Sequence, residues 1–197
     1  MQYMTLNEQI AKVISIIQEN QQLMKILDYI SSIGLPNYYV AAGCVFQTIW
    51  NKLDGKDLNY GIKDIDVIYY NAENLSRDTD LKYQELINDY CKKQKYDYEI
   101  DVANEARMHI WKKEKFGIDT APYLSSEDAI DKWVATTHAI GVTKDDSGIR
   151  IYAPYGLSDI FNKVIRPIKH EYNTKEMYEG KAKSWNERFT GLKIIEW

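Results

Sequence analysis

Acidic residues alternate with apolar residues in two short segments of this chain, in a pattern that suits cation binding. Asp64 and Asp66 lie in KDIDVIYY, and Asp101 lies in YDYEIDV. If both segments are β-strands, the two-residue period places Asp64 and Asp66 on one face, and likewise groups Asp97, Glu99 and Asp101. In neighbouring strands, the three aspartates would converge on one point. A hard divalent cation such as Mg²⁺ would relieve their repulsion there and accept oxygen ligands.

A structural alternative accounts for the same acids without chemistry. Asp64 then ends a loop, and the other carboxylates form the solvated side of half-buried strands. Asp-x-Asp is short and common, so the acid spacing alone favours this alternative. Further features of the chain must decide between the two interpretations.

The remaining sequence predicts helices interleaved with three to five strands. Thr5 and Glu8 form a capping-box pattern that begins a helix, which a polar stretch near residues 18–22 either breaks or divides in two. A strand, a tight turn at Gly43 and a helix are predicted in YYVAAGCVFQTIWNKL. Further helices are predicted over residues 79–92, 104–117, 125–133, 158–167 and in TKEMYEGKAKSWNERF, with a hairpin formed by residues 136–143 and 148–153. This order predicts an α+β (mixed α/β) fold.

Composition limits the class of protein. A length of 197 residues suits a single domain, 1–197, with helices at both ends. The net charge of −4 supplies no basic field for tight binding of long nucleic acid. Two cysteines and three histidines make neither a disulfide framework nor a convincing zinc set. We expect a cytoplasmic protein without a membrane partner, because no apolar run approaches about 20 residues and the N-terminus lacks a signal-peptide pattern.

Three features occur together in an order that resembles a known superfamily. They are Gly43-Cys44 at a strand-to-helix turn, the pair Asp64 and Asp66 on the next strand, and Asp101 on a later strand. Together they resemble the nucleotidyltransferase superfamily that includes polymerase beta. The resemblance implies that Asp64 and Asp66 hold two metal ions, Mg²⁺ or Mn²⁺, one of which also binds a nucleoside triphosphate. It implies that Asp101 helps hold the other ion near the attacking hydroxyl.

Gly43 and Cys44 are the predicted phosphate contacts. Glycine permits close approach of the backbone to a phosphate, and the following helix would direct its positive end at the same anion. Cys44 stands where serine is common in the superfamily. A thiol is a weaker hydrogen-bond donor than a hydroxyl, so the prediction for Cys44 depends on its backbone N–H.

A narrower resemblance extends over most of the chain. The strings AAGCVFQTIWN, KDIDVIYY, IDVANEARMHIW, SSEDAIDKW, YAPYGLSDIF and VIRP resemble a small bacterial nucleotidyltransferase-like family related to the head domain of CCA-adding enzymes. This resemblance implies a small mixed sheet flanked by helices. The chain is too short for the additional domains with which CCA-adding enzymes hold tRNA, so we expect that it does not make a complete CCA end alone.

Three basic residues are predicted to neutralise phosphate charge. Arg107, Lys163 and Arg166 carry groups that match phosphate oxygens. Surface or ion-pairing roles are the alternative for each of them.

The predicted function is metal-dependent transfer of a nucleotidyl group from a nucleoside triphosphate to an acceptor, with release of pyrophosphate. The acceptor stays open among an RNA end, a small molecule and a protein. One alternative is a nucleotide-binding or regulatory module without turnover, for which the Cys44 departure and the absent acceptor domain leave room. A sugar-nucleotide glycosyltransferase is a further alternative, but it assigns no role to Gly43, Cys44 or Asp101.

Overall fold

A computed structural model describes residues 4–197 of the chain. The helices are α1 (Leu6–Glu19), α2 (Gln21–Ser32), α3 (Gly43–Leu53), α4 (Arg77–Gln94), α5 (Met108–Phe116), α6 (Ser126–Asp131), α7 (Ser158–Phe161) and α8 (Lys175–Asn186). The strands are β1 (Tyr39–Ala41), β2 (Asp64–Tyr69), β3 (Glu99–Asn104), β4 (Gly141–Asp145), β5 (Gly148–Tyr152), β6 (Val164–Ile165) and β7 (Lys193–Ile194). A single 3₁₀ turn joins β3 to α5. The predicted α+β fold is therefore confirmed.

The main sheet has five strands in the order β3-β2-β1-β4-β5. Strands β2 and β3 are parallel, and α4 connects them, whereas the other neighbouring pairs are antiparallel. A separate pair, β6 and β7, brings two distant parts of the C-terminal region together. The sheet is thus mixed, with its parallel pair at the edge that carries the acidic strands.

Local sequence explains the first two helices. The side chain of Thr5 accepts a hydrogen bond from the Glu8 backbone, while the Glu8 carboxylate accepts one from the Thr5 backbone at 2.7 Å. Asn20 then ends α1 and caps α2 by accepting a hydrogen bond from the Leu23 backbone at 3.1 Å. The polar stretch therefore divides the predicted helix in two. Each helix buries one apolar stripe in the core, as expected of amphipathic helices.

The two faces of the sheet are covered differently. On one face, Val40, Val67 and Val102 pack in the main core with apolar residues of α1 to α4. On the other face, a smaller cluster forms around Ala41 and Ile68. The acids of β2 and β3 share this second face, because side chains alternate along a strand.

Two predicted boundaries between residues 136 and 167 were wrong. The hairpin strand begins at Gly141, because residues just before it turn towards the C-terminal region, where the hydroxyl of Thr137 donates to the Val164 carbonyl at 2.6 Å. The helix predicted up to Pro167 ends at Phe161. Lys163 adopts a positive φ of 54°, which ends helical geometry, and β6 follows it.

None of the helices in residues 4–197 combines the length and the apolar character required to cross a membrane.

Candidate functional site

The two acidic strands are neighbours, as the sequence predicted. In their parallel register, Asp66 lies opposite Asp101, and Asp64 lies opposite Glu99. Ile65, between the first two acids, is buried in the main core. Four carboxylates therefore share one face at the start of β2 and β3, because each strand turns its alternate residues to that face.

Asp66 is the least exposed of the three predicted aspartates. Burial raises its pKa to about 6, and the negative charges of Asp64 and Asp101 act in the same direction. The ammonium of Lys181 on α8 opposes this shift. The three aspartates are thus close enough to interact electrostatically, and their ionised forms disfavour one another.

The donor chemistry fits a hard divalent cation, since every ligand is a carboxylate oxygen. Within residues 4–197, however, no three His, Cys, Asp or Glu side chains are gathered as a ready-made metal site. The three aspartates therefore share one face of the sheet in a matched register, but their carboxylates do not meet at one point as expected. Carboxylates that repel one another keep apart, and a cation would draw them together.

The turn before α3 lies beside these acids. Its positive-φ residue is Ala42 (φ 56°, ψ −120°), and Gly43 is the first residue of the helix, so the predicted turn is displaced by one residue. A Cβ atom at Gly43 would lie only 3.0 Å from the side-chain nitrogen of Gln47. The first amides of a helix have no intrahelical partner and carry its positive partial charge. The first amides of α3, those of Gly43 and Cys44, thus begin the helix next to Asp66.

The thiol of Cys44 lies in the main core. It is 2% exposed, and its sulfur donates to the Ala41 carbonyl at 3.5 Å. Burial raises the pKa of this thiol well above its ordinary value, and the charges of Asp66 and Asp64 raise it further. Contact between Cys44 and a phosphate is therefore limited to the backbone.

The structure places the three predicted phosphate-binding cations away from the acids. Each pairs with a carboxylate of its own neighbourhood, and none lines either of the two cavities within residues 4–197 that contain both Asp66 and Asp101. The pairs are Arg107 with Asp80 at 3.7 Å, Lys163 with Asp54, and Arg166 with Asp159 at 3.0 Å. Their predicted role is left to experiment, but their charges already have partners.

Other groups that the sequence analysis did not select lie next to the acids. A cavity of about 180 Å³ is lined by Asp66 and Asp101 together with Glu105, His138 and Lys181. Ala42 also lines this cavity, which places the turn before α3 and the acids on the same space. The sequence offered only a weak signal for these groups: Glu105 follows Asp101 by four residues, whereas Lys181 is one of many charges on α8.

Glu105 is the most perturbed acid in the cavity. It is 5% exposed, and burial raises its pKa to about 8; the ammonium of Lys112 opposes the shift, and nearby carboxylates including Asp66 add to it. The same cavity holds His138, whose pKa burial lowers well below its ordinary value. Burial therefore favours the uncharged form of both groups.

Comparison with known proteins identifies the family of this chain. A profile of the family described as Nucleotidyltransferase matches residues 28–194, most of the chain. The chain belongs to the nucleotidyltransferase family. The match spans β1 to β7 and thus includes the acids and the turn before α3. A search of curated proteins found no match.

Solved structures agree with this nucleotidyltransferase assignment. One protein, whose NMR structure reveals a CCA-adding enzyme head domain, is 28% identical, with a TM-score of 0.79 over 95% of this chain and 96% of that chain. The CCA-adding enzyme in complex with CTP has a TM-score of 0.50 at 16% identity, and its apo form has 0.51 at 14%. This nucleotidyltransferase covers 43% and 42% of those two chains. At such identities they support the fold alone.

Proposed function

We propose that this nucleotidyltransferase is a metal-dependent enzyme that moves a nucleotidyl group from a nucleoside triphosphate to an acceptor and releases pyrophosphate. The observation that carries the proposal is the shared cavity in which Asp66 and Asp101 lie beside Ala42 at the start of α3. A phosphate ester bound there would meet carboxylates on one side and helix amides on the other.

Each group has a role in this proposal. The amides of Gly43 and Cys44 bind the triphosphate, and Lys181 neutralises part of its charge. Asp64, Asp66 and Asp101 hold Mg²⁺, or Mn²⁺ in its place, which when bound would stabilise charge on the entering and leaving oxygens. Asp101 lies on the edge strand and accepts a proton from the attacking hydroxyl. The CTP complex of a CCA-adding enzyme with this fold supports a nucleoside triphosphate as the donor.

The setting of the reaction is part of the proposal. Cys44 and Cys91 are both free and buried, which supports a reducing, cytoplasmic environment. One domain over residues 1–197 is supported by the main core, in which Val13 of α1 and Trp185 of α8 belong to the same cluster.

Titration with nucleoside triphosphates tests the proposal directly. Each of the four common triphosphates is added to the purified protein with and without Mg²⁺, and binding is followed by amide NMR shifts. We expect metal-dependent shifts at Gly43 and around Asp66. Asp66→Asn should abolish them, because it removes a ligand charge without changing the size of the side chain. Asp89→Asn, an equal change at an exposed position of α4, should leave them unchanged.

The same titration, with an assay for pyrophosphate release, distinguishes the enzyme from a nucleotide-binding module without turnover. A parent protein that shows no metal-dependent response to any triphosphate would contradict the site assignment. Metal-dependent binding without pyrophosphate release, over a broad panel of acceptors, would instead support a nucleotide-binding module without turnover.

A further inference from the structure

A second cavity adjoins the one that contains the acids. It also measures about 180 Å³, and it shares Glu105, Trp133, His138 and Lys181 with the first cavity. Its other polar side chains come largely from α5, the loop that follows it, and the region around residue 172. The two cavities therefore adjoin at these four residues, with Asp101 lining the first and Lys112 lining the second.

Lys112 lines this second cavity beside two tyrosine rings. Its ammonium donates to the Tyr123 hydroxyl at 2.8 Å and lies 4.8 Å from the ring centre of Tyr123 and 4.7 Å from that of Tyr172. In the part of the chain that the structure describes, no carboxylate lies within ion-pair distance of it. A half-buried ammonium that forms no ion pair is costly, and such groups concentrate at binding sites.

A second ammonium lies on the same aromatic wall. Lys132 is 5.3 Å from the ring centre of Tyr123, and Asp128 pairs with it at 2.7 Å. Burial lowers the pKa of Lys112; the Glu105 carboxyl opposes that shift, and Lys132 adds to it. Three lysines, Lys112, Lys132 and Lys181, line the pocket together with one carboxyl, that of Glu105. Asp128 pairs with Lys132 alone among them, which leaves the pocket attractive to an anion.

The position of this pocket within the fold indicates which substrate it serves. The triphosphate-binding amides follow β1, on one side of Asp66, whereas Asp101 lies on edge strand β3, on the other side. Glu105 and Lys112 belong to the segment that directly continues β3. The Lys112 pocket is therefore reached from the side on which Asp101 would meet the attacking hydroxyl.

The pocket measures about 180 Å³, below the roughly 300 Å³ at which cavities enclose a drug-sized ligand. It would therefore hold one charged group of a ligand rather than the whole molecule.

We propose that the Lys112 pocket binds an oxyanion, a phosphate or a carboxylate, carried by a small-molecule acceptor. The assignment of this site to the acceptor rests on the proposed function, whereas binding of an oxyanion can be tested separately. Lys112 donates to the oxyanion from between its two rings, and Lys132 supplies a second positive charge. The acceptor hydroxyl then lies towards Asp101.

Inorganic phosphate is the probe for the first test, without metal or nucleotide present. We expect saturable NMR shifts at Lys112, Tyr123 and Tyr172. Lys112→Met keeps most of the aliphatic stem and should weaken phosphate binding by about tenfold to 100-fold, the loss expected when a charge-assisted hydrogen bond is removed. Lys112→Arg should restore much of it. Lys113→Met is the matched control, because Lys113 is exposed and pairs with Asp119 at 2.8 Å.

A second measurement identifies the molecule that carries the oxyanion. Metal-dependent triphosphate binding should be unchanged in Lys112→Met, while Asp66→Asn should lose it and still bind phosphate at Lys112. Equal loss of phosphate and triphosphate binding in Lys112→Met would assign the pocket to the nucleotide and overturn its assignment to the acceptor.

Two further outcomes separate this inference from the proposed function. If phosphate produces no shifts around Lys112 in the parent, or if Lys113→Met weakens binding as much as Lys112→Met, the pocket is not an oxyanion site. If phosphate binds at Lys112 but no triphosphate binds with Mg²⁺, the oxyanion site stands and the proposed nucleotidyl transfer fails.

Discussion

The two faces of β2 and β3 are built from adjacent residues but differ in burial and charge. Val67 and Val102 are fully buried beneath the helices, whereas Asp66 and Asp101, one position away on each strand, turn to the open face. The covered face holds the strands in place through apolar burial. The open face gathers carboxylates whose mutual repulsion the Lys181 ammonium opposes. A shift of one residue in register would exchange the two faces, so the packing of one face specifies the chemistry of the other.

The largest expected effect comes from removing charge on the open face. Asp101→Asn should lower turnover by about 10²-fold to 10³-fold, the scale observed when one preorganised electrostatic group is removed from an active site. The free energy of unfolding should change by less than about 0.5 kcal/mol, since Asp101 is exposed. Steady-state kinetics with an identified acceptor and urea unfolding measure the two quantities, with Asp89→Asn as the control. Full activity in Asp101→Asn would remove β3 from the site.

The next effect concerns a buried carboxyl at the end of the open face. The raised pKa of Glu105, about 8, means that the folded state binds its proton more tightly than the unfolded state, in which an ordinary glutamate titrates. Folding stability should therefore fall as the pH rises from about 4.5 to about 8, by a few kcal/mol. Glu105→Gln should remove this decline, so that its advantage over the parent grows with pH.

Urea unfolding at several pH values checks this prediction. Glu85→Gln, at an exposed position of α4, is the control and should follow the parent curve. A constant difference between Glu105→Gln and the parent at all pH values would show that Glu105 titrates normally in the folded protein.

A smaller effect, on stability alone, is expected on the covered face. Val102→Ala should cost about 2 kcal/mol of unfolding free energy, because it removes two methyl groups from a site with 0% exposure. Turnover per folded molecule should be retained. Chemical unfolding and kinetics on the same sample measure both. If Val102→Ala and Asp101→Asn lost activity equally, the assignment of stability to the covered face and of activity to the open face would be wrong.

The smallest effect concerns Ala42, in the turn between β1 and α3. Ala42 has a φ of 56°, which an L-residue with a side chain adopts only with strain. Ala42→Gly should raise the unfolding free energy by about 1 kcal/mol, since relief of strain exceeds the added entropy of the unfolded chain. Ala41→Gly, in strand β1, should lower it instead. Thermal unfolding compares the two variants, and a loss of stability in both would show that Ala42 is unstrained.

Local patterns were sufficient for much of the fold. Alternation in KDIDVIYY and YDYEIDV predicted two strands with an acidic face. The structure also contains the helical start predicted at Thr5 and, as a 3₁₀ turn followed by α5, the one predicted in residues 104–117. The prediction failed in residues 158–167, where a helical pattern becomes strand β6. That strand is stabilised by pairing with β7, a contact with residues almost thirty positions away that no local pattern reports.

The candidate site was predictable only where its residues follow a strand period. Asp64, Asp66 and Asp101 qualified for that reason, whereas Lys112 and Lys181 are ordinary members of charged helices. Ion pairing also could not be predicted from local sequence. Arg107 resembles a phosphate ligand in the sequence, but in the structure it pairs with the buried Asp80. Whether a cation is already paired depends on residues that only folding brings near.

The sequence by itself determined the acidic face of two strands and the glycine-containing helix start beside them, because strand alternation and backbone preference are local properties. Tertiary structure decided that the strands lie parallel with Asp66 opposite Asp101, and that Ala42 bears the strained turn. It also decided that Lys112 lies between two tyrosine rings next to the acids. These features depend on register and on packing between distant segments, which the burial of the opposite face of the sheet specifies.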